Sequence, residues 1–222
     1  MPASRTVRRQ VVTVCRRLYE RGLIAGTDGN VSVRTGRATM LITPAGLSKV
    51  DVGMDDLVAV TWERSRGGPR GTASTEQAMH VRLYRRRDDV GAVVHAHPSV
   101  ATAFAAAGVA LPTDVLPELI FQLGNIAYVP FVVPGSEAVA DAMEPYITDH
   151  DVFLLANHGA TTVGRSLAVA HQRMESLEHG ARIVWAALAL GGAQPLPADA
   201  VTTLKAARRH SNTTPNDSRS RP

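Results

Sequence analysis

His95 and His97 stand two residues apart in Ala92-Val93-Val94-His95-Ala96-His97, a run that reads as a β-strand stopped by Pro98. Successive strand side chains alternate faces, so both imidazoles point the same way and can share a metal ion. His158 closes a second strand-like run, Val152 to Ala156, within Asn157-His158-Gly159, where a neighbouring sheet position would bring it into coordination distance. Three neutral imidazole nitrogens suit Zn²⁺, which takes nitrogen, sulfur and oxygen ligands tetrahedrally and in catalytic sites keeps a position open for substrate. A single His-x-His is also the pattern of two partly exposed strand histidines, so the pair needs its context.

Glu76 supplies part of that context. It follows Ser74-Thr75 at the start of a helical pattern, where the ordinary role of an acidic side chain is to complement the helix N-terminus. Beside a metal a carboxylate has a second use, as a ligand that can leave and act as a base. Three backbone-rich segments can hold an anion: the loop Gly26-Thr27-Asp28-Gly29-Asn30, the turn Pro44-Ala45-Gly46, and Ser74-Thr75. None is a nucleotide-binding loop, since Gly-x-Gly-x-x-Gly and a Gly-Lys-Ser/Thr ending are both absent.

The elements that must position these residues follow from periodicity and breakers. Val7, Val11, Val14, Leu18 and Tyr19 recur at helical steps over Arg5 to Gly22. Strands are expected at 31–34, 39–43, 56–62, 92–97, 126–133 and 152–156, with a turn at Gly67-Gly68-Pro69 and Gly71. Helices are expected after Thr75, over Ser99 to Ala107, over Glu137 to Ile147, and over Leu167 to Leu190 as the longest. Without a strict βαβ rhythm, this order predicts an α/β fold with a central, largely antiparallel sheet covered by helices.

The chain has 222 residues, enough for one core, and 45% are apolar. No apolar stretch approaches the roughly 20 residues of a membrane span, and the charges that interrupt the first twenty residues leave no signal-peptide core. With a single cysteine, Cys15, no disulfide can form within one chain. A cytoplasmic protein without a membrane partner is expected. The formal charge of +4 resides in Lys205 to Pro222, with five basic residues against Asp217, and the rest balances at 19 basic and 19 acidic. That division predicts a disordered basic tail over 205–222 behind one domain over 1–204, and no nucleic-acid partner. His80, His150, His171 and His179 read as helix-surface or packing residues.

In order, spacing and wording, Gly29-Asn30-Val31-Ser32-Val33-Arg34, Ile42-Thr43-Pro44-Ala45-Gly46, Ser74-Thr75-Glu76, Val94-His95-Ala96-His97-Pro98, Asn157-His158-Gly159 and the long helix with Glu175 and Glu178 resemble the class II aldolase/adducin-head family, on its fuculose-phosphate aldolase branch. The resemblance runs over about residues 7 to 190. It implies a three-layer α/β/α fold and a homotetramer with active sites between subunits. It also implies Zn²⁺ on His95, His97 and His158, with Glu76 as a fourth ligand that swings away to become the general base. Asn30, Gly46, Ser74 and Thr75 would line a phosphate pocket for a small sugar phosphate. The implied reaction is cleavage of a ketose 1-phosphate, such as L-fuculose 1-phosphate, to dihydroxyacetone phosphate and an aldehyde.

The chain departs from that pattern in two places. Ala45 stands where family members often carry Ser or Thr, and no tyrosine follows Tyr146 to serve as leaving-group acid, with Phe121 near the inner position. Other branches remain as alternatives. A pentulose-phosphate 4-epimerase usually carries Asp at position 76 and an acidic His-Ala-Asp motif, for which Glu118 would have to substitute. A phospho-tetronate decarboxylase departs at Glu76, and a methylthioribulose-phosphate dehydratase shares the histidines. Adducin heads, which keep the fold and lose metal ligands, offer a non-catalytic reading.

Overall fold

The computed structural model of the chain describes residues 3–64 and 72–213, so the turn expected around Gly67-Gly68-Pro69 and Gly71 lies outside the described residues. Among those described, seven strands form one sheet in the order β3-β2-β1-β4-β7-β6-β5. They are β1 (Asn30–Gly36), β2 (Thr39–Ile42), β3 (Val58–Thr61), β4 (Ala92–Ala96), β5 (Ile126–Val129), β6 (Val152–Leu155) and β7 (Gly159–Gly164). Every neighbouring pair is antiparallel except β5 and β6.

Helices cover both faces: α1 (Arg5–Glu20), α2 (Gln77–Arg86), α3 (Ser99–Ala107), α4 (Pro117–Leu123), α5 (Glu137–Met143), α6 (Leu167–Ala189) and α7 (Ala198–Thr213). Adjacent β4 residues show the layering. Val94 belongs to the core cluster that holds Leu18 of α1, Phe104 of α3, Leu119 of α4 and Met174 of α6. Val93, one residue earlier and therefore on the other face, packs with Met79 and Leu83 of α2 and Met143 of α5. The result is the expected three-layer α/β/α arrangement around a mainly antiparallel sheet.

The amphipathic pattern of α1 buries Val11, Val14, Cys15 and Leu18, and the Ser4 hydroxyl accepts from the Val7 amide as its N-cap. Burial pushes the Cys15 thiol up to about 12, so it behaves as an inert core residue. Elsewhere the elements are shorter than expected. Pro130 ends β5 at Val129, and a tight turn at Trp62–Arg64 ends β3.

The sequence reading missed β7, α4 and α7. β7 is buried on both faces between β4 and β6, so its residues show no alternation to betray a strand. The disordered tail expected from residue 205 does not hold for 205–213, which are the second half of α7. α7 packs on α4, and its Arg208 reaches Asp151 at 2.9 Å, so tertiary contacts order a segment whose composition reads as solvated. No described helix is long and apolar enough to cross a membrane.

Candidate metal centre and active site

The β1–β4–β7 register builds the site. Asn30 faces His95 across the β1/β4 pair, and Thr161 faces His95 across β4/β7. Residues opposite one another share a sheet face. The fully buried His95 places Nδ1 3.0 Å from the Ala160 carbonyl and 3.1 Å from Thr161 Oγ1. A carbonyl oxygen only accepts, so Nδ1 carries the proton and the Nε2 lone pair points into the site. His97, just past the end of β4, has Nδ1 3.5 Å from Asp28 Oδ2 and Nε2 3.2 Å from His95 Nε2. His158 completes the group, and one nitrogen from each of the three rings lies within 4.8 Å of the others.

Two backbone features hold His158 and His97 together. Asn157 takes a left-handed conformation, φ 52°, at the β6–β7 turn, a conformation asparagine adopts more readily than most residues. Gly159 is required next to it. A Cβ there would stand 2.4 Å from His97 Cδ2 and 2.7 Å from the Ala96 carbonyl. From α6, the buried Glu178 carboxylate accepts from the Val100 and Ala101 amides at 3.0–3.2 Å, fixing the start of α3 just after His97. Glu175 instead pairs with Arg21 at 3.2 Å and His171 at 3.4 Å, away from the histidine group.

Glu76 does not cap α2. It occupies the N-cap position, yet its carboxylate makes no bond to the helix amides. It turns to the histidines, with Oε2 3.3 Å from His95 Nε2 and Oε1 3.2 Å from His158 Nε2. Asn30 Nδ2 donates to Oε2 at 2.8 Å, while Oε1 is buried and accepts no hydrogen bond. Burial works to raise this carboxyl, but the rings of His95 and His158 and the Asn30 amide outweigh it and hold it well below the usual carboxylate range. Burial lowers His95 to about 4 against the opposing pull of Glu76. Three imidazoles whose ring nitrogens converge within 4.8 Å, beside a largely buried carboxylate, are a donor set that fits a divalent cation.

A cavity of about 310 Å³ opens over this group, with Glu76, His97 and His158 in its wall. Asn30, Gly46, Ser74 and Thr75 line the same cavity, so the structure brings together all the sequence-selected residues, with His95 buried beneath. The sequence reading missed Lys49, which also lines the cavity. It is 2% exposed, and its Nζ donates to the carbonyls of Thr27 and Leu47 at 2.8 and 3.0 Å. Two acceptors leave one of its three N–H donors over. Asp28 and Thr161, which orient His97 and His95, escaped notice because only the folded chain places them there. Glu118 lies exposed in the first turn of α4, and the cavity wall does not include it.

Comparison with known proteins bears on the family. Residues 9–185 match the family described as Class II Aldolase and Adducin N-terminal domain. The L-fuculose phosphate aldolase of Methanococcus maripaludis is 33% identical over 174 residues, spanning 78% of this chain and 93% of that protein. The 3-oxo-tetronate 4-phosphate decarboxylase of Escherichia coli is 30% identical over 188 residues, 82% of this chain and 87% of that protein. A solved L-fuculose 1-phosphate aldolase superposes with a TM-score of 0.84 at 27% identity, covering 93% of this chain and 98% of that one. With the family match spanning residues 9–185 and the solved aldolase superposing over 93% of the chain, this chain belongs to the class II aldolase and adducin N-terminal domain family.

Proposed function

We propose that the chain is a zinc-dependent aldolase that cleaves a ketose 1-phosphate, of the L-fuculose 1-phosphate kind, to dihydroxyacetone phosphate and an aldehyde. The observation that carries this reading is the convergence of His95, His97, His158 and the Glu76 carboxylate at a cavity whose other walls present anion donors. His95, His97 and His158 would hold Zn²⁺, with Glu76 as the fourth ligand of the empty site. The cation, when bound, supplies Lewis-acid polarisation of a substrate carbonyl and lowers the cost of the charge left as the C3–C4 bond breaks.

The remaining work falls to the chain itself. Gly46 N–H, the Ser74 and Thr75 hydroxyls and Asn30 bind the phosphate, and Lys49 adds a positive charge where Ala45 withholds a hydroxyl. In the cleavage direction the C4 hydroxyl gives its proton to solvent, the electron pair of the C3–C4 bond stays with C3, and Glu76, ionised at rest, relays a proton from solvent to C3. In synthesis the ionised Glu76 removes that proton from dihydroxyacetone phosphate, and C3 attacks the aldehyde. Because Phe131 and Val133 stand 55% and 70% exposed just before Pro134 of the cavity wall, we further propose that a second subunit covers this rim, as in a homotetramer. A cytoplasmic setting fits the single buried thiol.

The test is a screen of ketose 1-phosphates for release of dihydroxyacetone phosphate, with and without added Zn²⁺. Zinc-dependent cleavage supports the reading. Fully metal-loaded protein that neither cleaves any of them nor exchanges the C3 proton of dihydroxyacetone phosphate overturns it. Release of CO₂ from 3-oxo-tetronate 4-phosphate would assign the decarboxylase branch instead.

A further inference from the structure

Behind the cavity wall a line of polar side chains runs from Glu76 into the α2 layer. Asn30 Nδ2 donates to Glu76 Oε2 at 2.8 Å, and Asn30 Oδ1 lies 2.5 Å from His80 Nε2. His80 Nδ1 lies 2.6 Å from Ser32 Oγ, which is 2.8 Å from the Tyr84 hydroxyl. Asn30 is 3% exposed, and Ser32, His80 and Tyr84 are fully buried, so each group depends on the next for its hydrogen bond.

Such a line has two self-consistent directions, and the group at the Glu76 end selects one. An ionised carboxylate accepts only, so the Asn30 amide must turn its NH₂ towards it and its Oδ1 towards His80. Oδ1 also accepts only, so His80 Nε2 carries the proton. Burial pushes the imidazole down to about 3, which leaves the ring neutral and Nδ1 an acceptor. Ser32 then donates to Nδ1 and accepts from Tyr84. In the reverse direction Asn30 would turn Oδ1 towards a carboxylate that has no proton to give.

We infer that His80 is a positioning residue: with its Nε2–H on Asn30 Oδ1 and its Nδ1 accepting from Ser32, it locks the Asn30 amide with its NH₂ towards Glu76 and the substrate oxygens. A flipped amide would set oxygen against oxygen on both counts. His80 is not in the cavity wall, and its bond towards the site runs to Asn30. The catalytic consequence rests on the proposed reading of Glu76 as the proton-transfer group, whereas the orientation of the network does not.

Two measurements test it. Long-range ¹H–¹⁵N NMR on histidine-labelled protein should find His80 protonated at Nε2 and bare at Nδ1, and a proton on Nδ1 would overturn the inference whether or not the chain is an aldolase. In the metal-loaded enzyme, His80→Phe should keep its zinc content and slow C3 proton exchange of dihydroxyacetone phosphate by about 10- to 100-fold. The double variant with Asn30→Ala should be no slower than Asn30→Ala alone, because His80 works through that amide. Independent, multiplying losses would mean a packing role and overturn the inference. Should His80→Phe fail to fold, the smaller Ser32→Ala change frees the same tautomer and should slow exchange in the same sense, and an unchanged rate there counts against it. Wild-type protein that exchanges no proton, yet shows the expected tautomer, would sink the aldolase reading and leave the network standing.

Discussion

A carboxylate at a helix start is ordinarily a cap, and at Glu76 the two roles separate cleanly because no helix amide bonds to it. Glu76→Gln should therefore keep the melting temperature and most of the zinc, held by three histidines, while C3 proton exchange falls about a hundredfold. Exchange at the wild-type rate would send the search to another base. Replacing His95, His97 or His158 with Ala should strip the zinc, read as metal content after dialysis, because a three-histidine site closes poorly with two. Lys49 invites a different measurement. Its charge lies in the cavity wall, so Lys49→Met should raise KM for a sugar phosphate about tenfold or more and scarcely change KM for its unphosphorylated analogue. Equal changes in both would mean that Lys49 serves only to tie Thr27 to Leu47.

Among the elements, β6 carries the site at one end and a charge cluster at the other. Asp151, just before β6, pairs with Arg87, Arg173 and Arg208 at 2.8–2.9 Å, and its side chain is 11% exposed. This carboxylate ties α7, α6 and the end of α2 to the sheet. Asp151→Ala would leave buried guanidinium groups without that partner, at a cost of about 3–5 kcal/mol. Calorimetry should show a melting temperature lower by roughly 6–20 °C, with Arg208→Ala losing much less. Zinc content should survive in both variants, since the four residues of β6, roughly 13 Å, separate the cluster from the His158 turn. A loss of metal in Asp151→Ala without a loss of stability would contradict this division of the sheet.

For the whole molecule, exposed apolar side chains carry the prediction about assembly. Phe131 and Val133 sit beside the cavity, and Trp185 and Leu188, 62% and 50% exposed, lie on the last turns of α6. Monomers seldom keep several such side chains bare, and closed symmetric assembly is the common remedy. Light scattering at micromolar concentration should find an assembly, with four chains expected. A monomer alone would remove the support for a cavity shared between subunits.

The amino-acid sequence carried the chemistry wherever spacing is local. His95 and His97 share a face because strands alternate, and Glu76 follows Ser74-Thr75 at a helix start. The order of these motifs also carried the family and the α/β class. Tertiary structure alone decided what depends on register between distant strands. Asn30 meets Glu76 across 46 residues and His80 across 50, and no periodicity in the chain foretells either contact. β7 stayed hidden because burial on both faces erases alternation, and α7 because its order comes from α4 and Asp151 rather than from its own composition. Local pattern fixes which side chains point where within an element. Only packing fixes which of them meet, and so it made a lysine, an aspartate and a buried histidine part of this site.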